Sequence, residues 1–385
     1  MAYTPIRFTE EERIFQNQMR RFADSEVAPI ANEIDLNDRF PQELIEKFGE
    51  LGLIQWSVPE AYGGPEGSLT MLCIAREEIA RHSLSLSVMA GENGNGLALP
   101  LVFAGSETQK NTYFPLLAKG KTLVAFALSE PEAGSDAASL KSRAVQDGNE
   151  WEISGNKIYV TCGPVADYVL VFARTNEKPG AKGISAFIVD TKLKGVVRST
   201  NNKKMGYNGA TPNCDFFFDR VKVPSGAMIG KNGEGFTIAM KCMEFNRPAM
   251  AASAIGIAQG ALELSIAYSK EREQFGKPIS EFQGLQFMMA DMAMQIETTR
   301  ALLYEVAARY DSHEMESYGS LTATLKCMAS DVAMKVTTDA VQILGGAGYM
   351  QEHSVERFMR DAKVTQIFEG TNQIQRMLVA RDLLK

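Results

Sequence analysis

Apolar positions recur at helical spacing along the first third of the chain, as at Ile14, Met19 and Phe22, after an acidic start at Glu10–Glu12. Pro29, Pro41 and the Gly63-Gly64-Pro65 turn punctuate the pattern, which predicts a helical domain over residues 1–120. From about Lys121 the texture changes to short β-rich runs: Leu123–Leu128, Asn156–Thr161, Tyr168–Ala173, Gly183–Asp190 and Cys214–Phe218. Turns such as Asp147-Gly148-Asn149 separate them, predicting a middle β domain over 121–230. Beyond it Ala254, Ile257, Ala261, Leu264 and Tyr268 step by three and four, and helical tracts recur at Phe282–Tyr310, Ser320–Leu344 and Thr371–Leu384. The expected fold class is α+β: an N-terminal helical domain, a middle antiparallel β-barrel-like domain and a C-terminal four-helix bundle over 231–385. No internal repeat or low-complexity linker stands out, so the three parts should pack together.

Composition narrows the function. The 385 residues carry 40 basic against 47 acidic side chains, a formal charge of −7 that lacks the basic footprint of a nucleic-acid binder. Five scattered cysteines without a C-x-x-C pair, and three histidines without metal-ligand spacing, predict neither a disulfide framework nor a metal site. Met1–Glu12 is charged where a signal peptide needs an apolar core, and Ser253, Gln259 and Glu263 interrupt the apolar stretch Met250–Tyr268. A cytoplasmic protein without membrane insertion is expected.

Four segments carry candidate chemistry, and neither standard glycine-rich phosphate cradle is present. Leu128–Asp136, LSEPEAGSD, runs from a strand into a turn whose amides and serine hydroxyls can face a polar ligand, or it is simply a β-turn. Asn156–Thr161 places Tyr159 and Thr161 at period two, an aromatic platform beside a hydroxyl or ordinary packing. Gln342–Gly348, QILGGAG, allows close backbone approach or caps a helix. Glu369, in Ile367–Thr371, precedes a helix that Thr371 or Asn372 can cap; it is either a helix-terminal charge or a general base.

Together with NRP at 246–248, REQFGKPISEFQ at 272–283 and RDAK at 360–363, these motifs resemble the acyl-CoA dehydrogenase family, in family order over essentially the whole chain. The resemblance implies FAD-dependent α,β-desaturation of an acyl-CoA thioester, with electron-transferring flavoprotein as acceptor and a homotetramer as the usual assembly. Glu369 matches the family's base, which takes the α-proton while the β-hydrogen leaves as hydride to flavin N5. Phe126, Leu128, Ser129, Gly134 and Ser135 match the strand and turn beside the isoalloxazine, and Tyr159 and Thr161 match residues against the flavin. Arg272, Phe275 and Gln283 match the holders of a neighbouring subunit's ADP half, Gln342, Gly345 and Gly346 the adenine-end stretch, and Thr371 and Gln373 the FAD-facing helix. Ser135, Asn246, Arg247 and Gly370 match positions that meet the acyl-CoA.

Some features depart from the family pattern. Tyr159 stands where Trp is frequent, Glu132 where Gly is common and Cys162 where Asn is common. Some branches carry the base on the helix containing Asn246; Asn cannot abstract a proton, which favours Glu369. By family position, Val88–Leu97 lines the far end of the acyl pocket, where Glu92, Asn93 and Asn95 either face away or bind water, or receive a functionalised or cyclic acyl group with Glu92 as a second carboxylate; the expected substrate is a short or medium, branched or alicyclic acyl-CoA. That segment holds no arginine for a distal acid, which disfavours a dicarboxylic acyl group. Two alternatives share the resemblance: an enoyl-CoA reductase running in reverse with electron-transferring flavoprotein, and a DNA-associated flavoprotein relative. The second is disfavoured by the −7 charge and by the lack of a basic region after the helix that follows Glu369.

Overall fold

The computed structural model describes residues 8–314 and 318–385, except the Asn95 side chain; Met1–Arg7 of the charged N-terminal stretch lie outside the described residues. The N-terminal helices are α1 (Glu10–Phe22), α2 (Ala31–Leu36), α3 (Gln42–Glu50), α4 (Leu69–Ala80), α5 (Leu84–Met89), α6 (Leu99–Ala104) and α7 (Glu107–Leu117). Thr9 caps α1 reciprocally with Glu12, and Ser106 caps α7 with Gln109, so each start satisfies two otherwise orphaned amides. Helix α4 buries almost every residue because it is sandwiched between α1 and the long C-terminal helix α8 (Gly235–Glu271). The crossing is close: a Cβ at Gly256 would lie 2.2 Å from the Glu77 carbonyl oxygen, and one at Gly260 would lie 2.0 Å from that of Arg81.

The middle part contains β1 (Val124–Ala127), β2 (Arg143–Asp147), β3 (Glu150–Thr161), β4 (Tyr168–Arg174), β5 (Ile184–Asp190), β6 (Val196–Arg198), β7 (Asn213–Pro224) and β8 (Met228–Ile229). They form one sheet in the order β6-β7-β3-β2-β4-β5-β8, with β1 also paired to β4. The expected purely antiparallel arrangement is corrected to a mixed one: β1 runs parallel to β4, with Val124 opposite Tyr168, and β2 meets β4 in parallel at Arg143 and Arg174. The LSEPEAGSD turn and the β2–β3 hairpin supply the long connection a parallel neighbour requires.

After α8 come a small hairpin of β9 (Glu273–Gln274) and β10 (Lys277–Pro278), then α9 (Gln283–Asp311), α10 (Gly319–Leu344), α11 (Val355–Thr365) and α12 (Asn372–Leu383). Helix α11, which carries the RDAK motif, is additional to the tracts read from the sequence. By length and composition α8 could cross a membrane, but 83% of its most apolar window is buried against the rest of the protein, as a core helix is. Its Ala-rich interior meets α4 and α10, and these helices share one apolar core.

Candidate active site

Glu369 sits between α11 and α12 on a turn of two consecutive left-handed residues, with φ of 55° there and 84° at Gly370. For a non-glycine residue such a conformation costs about 1–3 kcal/mol and needs surrounding contacts to hold it. Those contacts are present: Gln375 Nε2 donates to the carbonyls of Glu369 and Gly370, both at 2.9 Å, and Lys326 Nζ donates to that of Gly370 at 2.8 Å. Thr371, not Asn372, caps α12, its hydroxyl accepting from the Ile374 amide.

The Glu369 side chain turns inward, and its Oε2 is buried without a hydrogen-bond partner. Burial lifts its pKa above the usual carboxylate range, against a hydrogen bond from Asn246 and the positive fields of Arg247, Arg76 and Lys326. Arg247 Nε is likewise buried and unpartnered, with Glu369 as the leading charge upon it. An acceptor and a donor, each desolvated and unpaired, mark a place where a polar ligand can complete both. Asn246 and Arg247 reach it from α8, so α8 and the Glu369 turn are brought together.

Glu92 belongs to the same cluster. Burial pushes it up to about 7, Arg76 and a hydrogen bond with Cys162 pull it down, and Glu369 raises it again as a like charge. Arg76 comes from α4, fully buried, and its guanidinium donates to the carbonyls of Ala90 (2.7 Å) and Val88 (3.2 Å) and contacts Met250 Sδ at 3.1 Å. Tyr207 completes the group: its buried hydroxyl feels Glu92, Cys162 and Arg76, and its ring meets that of Phe368 edge-on at 5.8 Å. Asn93 takes no part, since its amide is fixed between the Thr122 carbonyl (2.6 Å) and the Val124 amide (3.0 Å), where it ties this segment to β1. Asn95's side chain lies outside the described residues.

Sequence reading missed Arg76, Tyr207 and Lys326. Two left a signal: Arg76 falls at helical spacing from Leu69, Leu72 and Cys73, and Lys326 from Ala323, Ala329 and Ala333, each a lone charge on an apolar face. Arg76 also alters the argument drawn from the 88–97 segment, because the arginine near Glu92 arrives from another helix.

A second surface gathers on the sheet. Leu128 is buried at the end of β1, Phe126 packs on Phe172 with centroids 4.9 Å apart, and the Ser129 carbonyl accepts from the Ile158 amide at 3.0 Å. A buried ion pair, Lys157 Nζ to Glu130 Oε1 at 2.6 Å, locks this turn to β3. Tyr159 is 70% exposed. The simple alternation linking it to Thr161 is interrupted, since the β3–β7 ladder shifts between Lys157 and Val160 and Tyr159 takes φ 57° in that bulge. Gly134 and Ser135 are exposed at the turn.

The remaining candidates lie on the C-terminal helices. Arg272, Phe275 and Gln283 are exposed in and after the β9–β10 hairpin, where Phe275 is 94% accessible. Gln342, Gly345 and Gly346 are exposed at the end of α10, where Gly345 forms a C-cap at φ 62°. Thr371 and Gln373 lie at the start of α12, which packs on α10. Exposed aromatic faces at Tyr159 and Phe275, an arginine beside the latter, and glycines 134, 345 and 346, around which a Cβ would meet nothing within 4 Å, fit a large planar cofactor with a phosphate-bearing tail.

Among the described residues no group of His, Cys, Asp and Glu is suited to a metal ion. A buried carboxylate of raised pKa thus stands among unpaired polar atoms within a helical–β–helical fold. The chain belongs to the acyl-CoA dehydrogenase family and is an oxidoreductase: it matches that family's N-terminal domain over residues 9–121, its middle domain over 125–221 and its C-terminal domain over 233–384. It is 43% identical to cyclohex-1-ene-1-carbonyl-CoA dehydrogenase of Syntrophus aciditrophicus over 378 residues, covering 98% of this chain and 90% of that protein. Among solved structures it resembles butyryl-CoA dehydrogenase of Megasphaera elsdenii, with a TM-score of 0.94, 37% identity and full coverage of both chains. It also resembles a chain from a structure of the electron transferring flavoprotein of Acidaminococcus fermentans, directed at flavin-based electron bifurcation (TM-score 0.95, 41% identity, 99% and 100% coverage).

Proposed function

We propose that the protein desaturates the Cα–Cβ bond of an acyl-CoA thioester, with Glu369 as the base. The observation that carries this reading is the buried, unpartnered Oε2 of Glu369, held on a left-handed turn beside the equally unpartnered Arg247 Nε. A desolvated carboxylate is a stronger base toward a weakly acidic C–H than one in water, and its fixed position supplies orientation. FAD, when bound, supplies the acceptor for the β-hydride. Phe126, Leu128, Ser129, Gly134, Ser135, Tyr159 and Thr161 would hold its ring system, and Arg272, Phe275, Gln283, Gln342, Gly345, Gly346, Thr371 and Gln373 its remainder across a subunit boundary.

Ser135, Asn246, Arg247 and Gly370 orient the acyl-CoA so that its α-carbon faces Glu369. Developing negative charge on the thioester oxygen is met by the backbone N–H of Glu369. Electron-transferring flavoprotein is the acceptor in this reading, the assembly is a tetramer, the compartment is the cytoplasm, and the chain divides near residues 120 and 230. Glu369→Gln tests the base: the FAD-loaded variant should lose exchange of the substrate's α-hydrogen with solvent, and wild-type exchange would move the base elsewhere.

The acyl group we assign is short or alicyclic. Glu92 and Arg76 make the interior beside Glu369 polar, ill suited to a long alkyl tail, and a relative of 43% identity is named for a cyclohexene carbonyl substrate. Steady-state rates over butyryl-, hexanoyl-, octanoyl- and cyclohexanecarbonyl-CoA check this, and a preference for octanoyl-CoA would overturn it.

A further inference from the structure

Lys326 is buried in α10, yet its ammonium donates only to neutral oxygens: the Gly370 carbonyl at 2.8 Å and Asn372 Oδ1 at 3.0 Å. A neutral amide would satisfy the same acceptors at a smaller desolvation cost, as Gln375 does for the adjoining carbonyls. The charge therefore has another counterpart. On its own helix the facing groups are Cys327 and Asp331; α8 presents Arg247 and the turn presents Glu369. Asp331 is already engaged by Arg376 and Gln366, each at 2.7 Å, and by Asn372 at 2.8 Å. Burial keeps the Cys327 thiol protonated, and Arg247 is a like charge. Glu369 remains, with one oxygen unpaired.

We propose that Lys326 is a positioning residue for the base: its ammonium pins the Gly370 carbonyl, fixing the left-handed Glu369–Gly370 turn, while its charge favours the ionised form of Glu369. The inference rests on Glu369 being the base. Burial pushes Lys326 itself down to about 8, and Glu369 is the leading charge that holds it up.

The test uses FAD-loaded Lys326→Met, which loses both the hydrogen bond and the charge, and Lys326→Gln, which keeps a donor and loses only the charge. Flavin content, melting temperature, KM, kcat against pH and deuterium washout from Cα of butyryl-CoA are measured for each. For Lys326→Met we expect kcat and washout to fall about 100-fold, the scale of a misplaced catalytic group, with flavin content unchanged. In both variants the acidic limb of kcat should move upward by about one pH unit or less, as loss of a nearby cation requires. A merely structural lysine would not move that limb. Wild-type kcat and acidic limb in Lys326→Gln would overturn the proposal, whether or not Lys326→Met folds. Glu369→Gln separates the two claims: if it retains washout, the base assignment fails; if it is inactive while both Lys326 variants behave as wild type, only the Lys326 proposal fails.

Discussion

Glu92 and Glu369 both lie in the field of one buried guanidinium, that of Arg76, and the charge of Glu369 raises the pKa of Glu92. Arg247 and Lys326 act on Glu369 as well, but desolvation outweighs the cations at both carboxyls, so each holds its proton more tightly than a carboxyl in water. Glu92, at about 7, is the group whose titration should be visible.

Its effect on stability has a definite sign. The folded value lies above the unfolded one, so between pH 4.5 and about 7 the folded state binds more protons and stability falls as pH rises. Over that window the Glu92 contribution amounts to roughly 3.5 kcal/mol at most, because each tenfold difference in proton affinity between the two states is worth about 1.4 kcal/mol. Glu92→Gln should therefore gain stability relative to wild type on going from pH 5 to pH 7.5. Melting temperatures of the FAD-loaded proteins at the two pH values check this; parallel changes in both would exclude a shifted Glu92.

Removing Arg76 should act on both carboxyls. Arg76→Met leaves Glu92 and Glu369 without their shared cation and leaves the Val88 and Ala90 carbonyls short of donors. The acidic limb of kcat should rise by about one pH unit or more, and the lost hydrogen bonds should cost about 1–3 kcal/mol. A pH profile of flavin reduction measured in parallel with urea unfolding separates the two effects. An unchanged acidic limb would show that Arg76 serves only to tie down the 88–90 segment.

The division of labour along the chain was legible because it depends on local periodicity: the stripe Ala254, Ile257 and Ala261 is a buried helix face, and β4 and β5 read as apolar runs. Glu369 was legible through the motif around it. Arg76 left only the signal of a lone charge on an apolar helix face, and its pairing with Glu92 depends on how the chain turns back after α5, which no helical window contains. The parallel pairing of β1 with β4 escaped for a related reason: strand direction is fixed by a connection of some forty residues, which no short window contains. The bulge at Tyr159 was likewise hidden, since a left-handed residue in a strand leaves the hydrophobic pattern almost unchanged.

The turn assigned to the flavin depends on the pair Lys157 and Glu130. Glu130 also accepts from the Ser142 amide at 3.0 Å, and Lys157 donates to the Leu128 carbonyl at 3.1 Å, so the pair ties the start of LSEPEAGSD to β3 and to the segment entering β2. Burial raises the pKa of Glu130, but Lys157 together with hydrogen bonds from Ser142 and Lys141 outweighs it, and the pKa ends below the usual carboxylate value. Its stabilising contribution is thus present above the unfolded carboxylate range and is lost as pH falls through the lowered folded value. Lys157→Met strands a buried carboxylate and should cost about 3–5 kcal/mol, whereas the double variant Lys157→Met/Glu130→Gln should recover part of the loss, because the uncompensated charge is gone. Melting temperature and FAD per chain, measured for the single and double variants, decide it. A double variant no more stable than Lys157→Met would mean that the packing of the lysine stem, and not the charge pair, holds the turn.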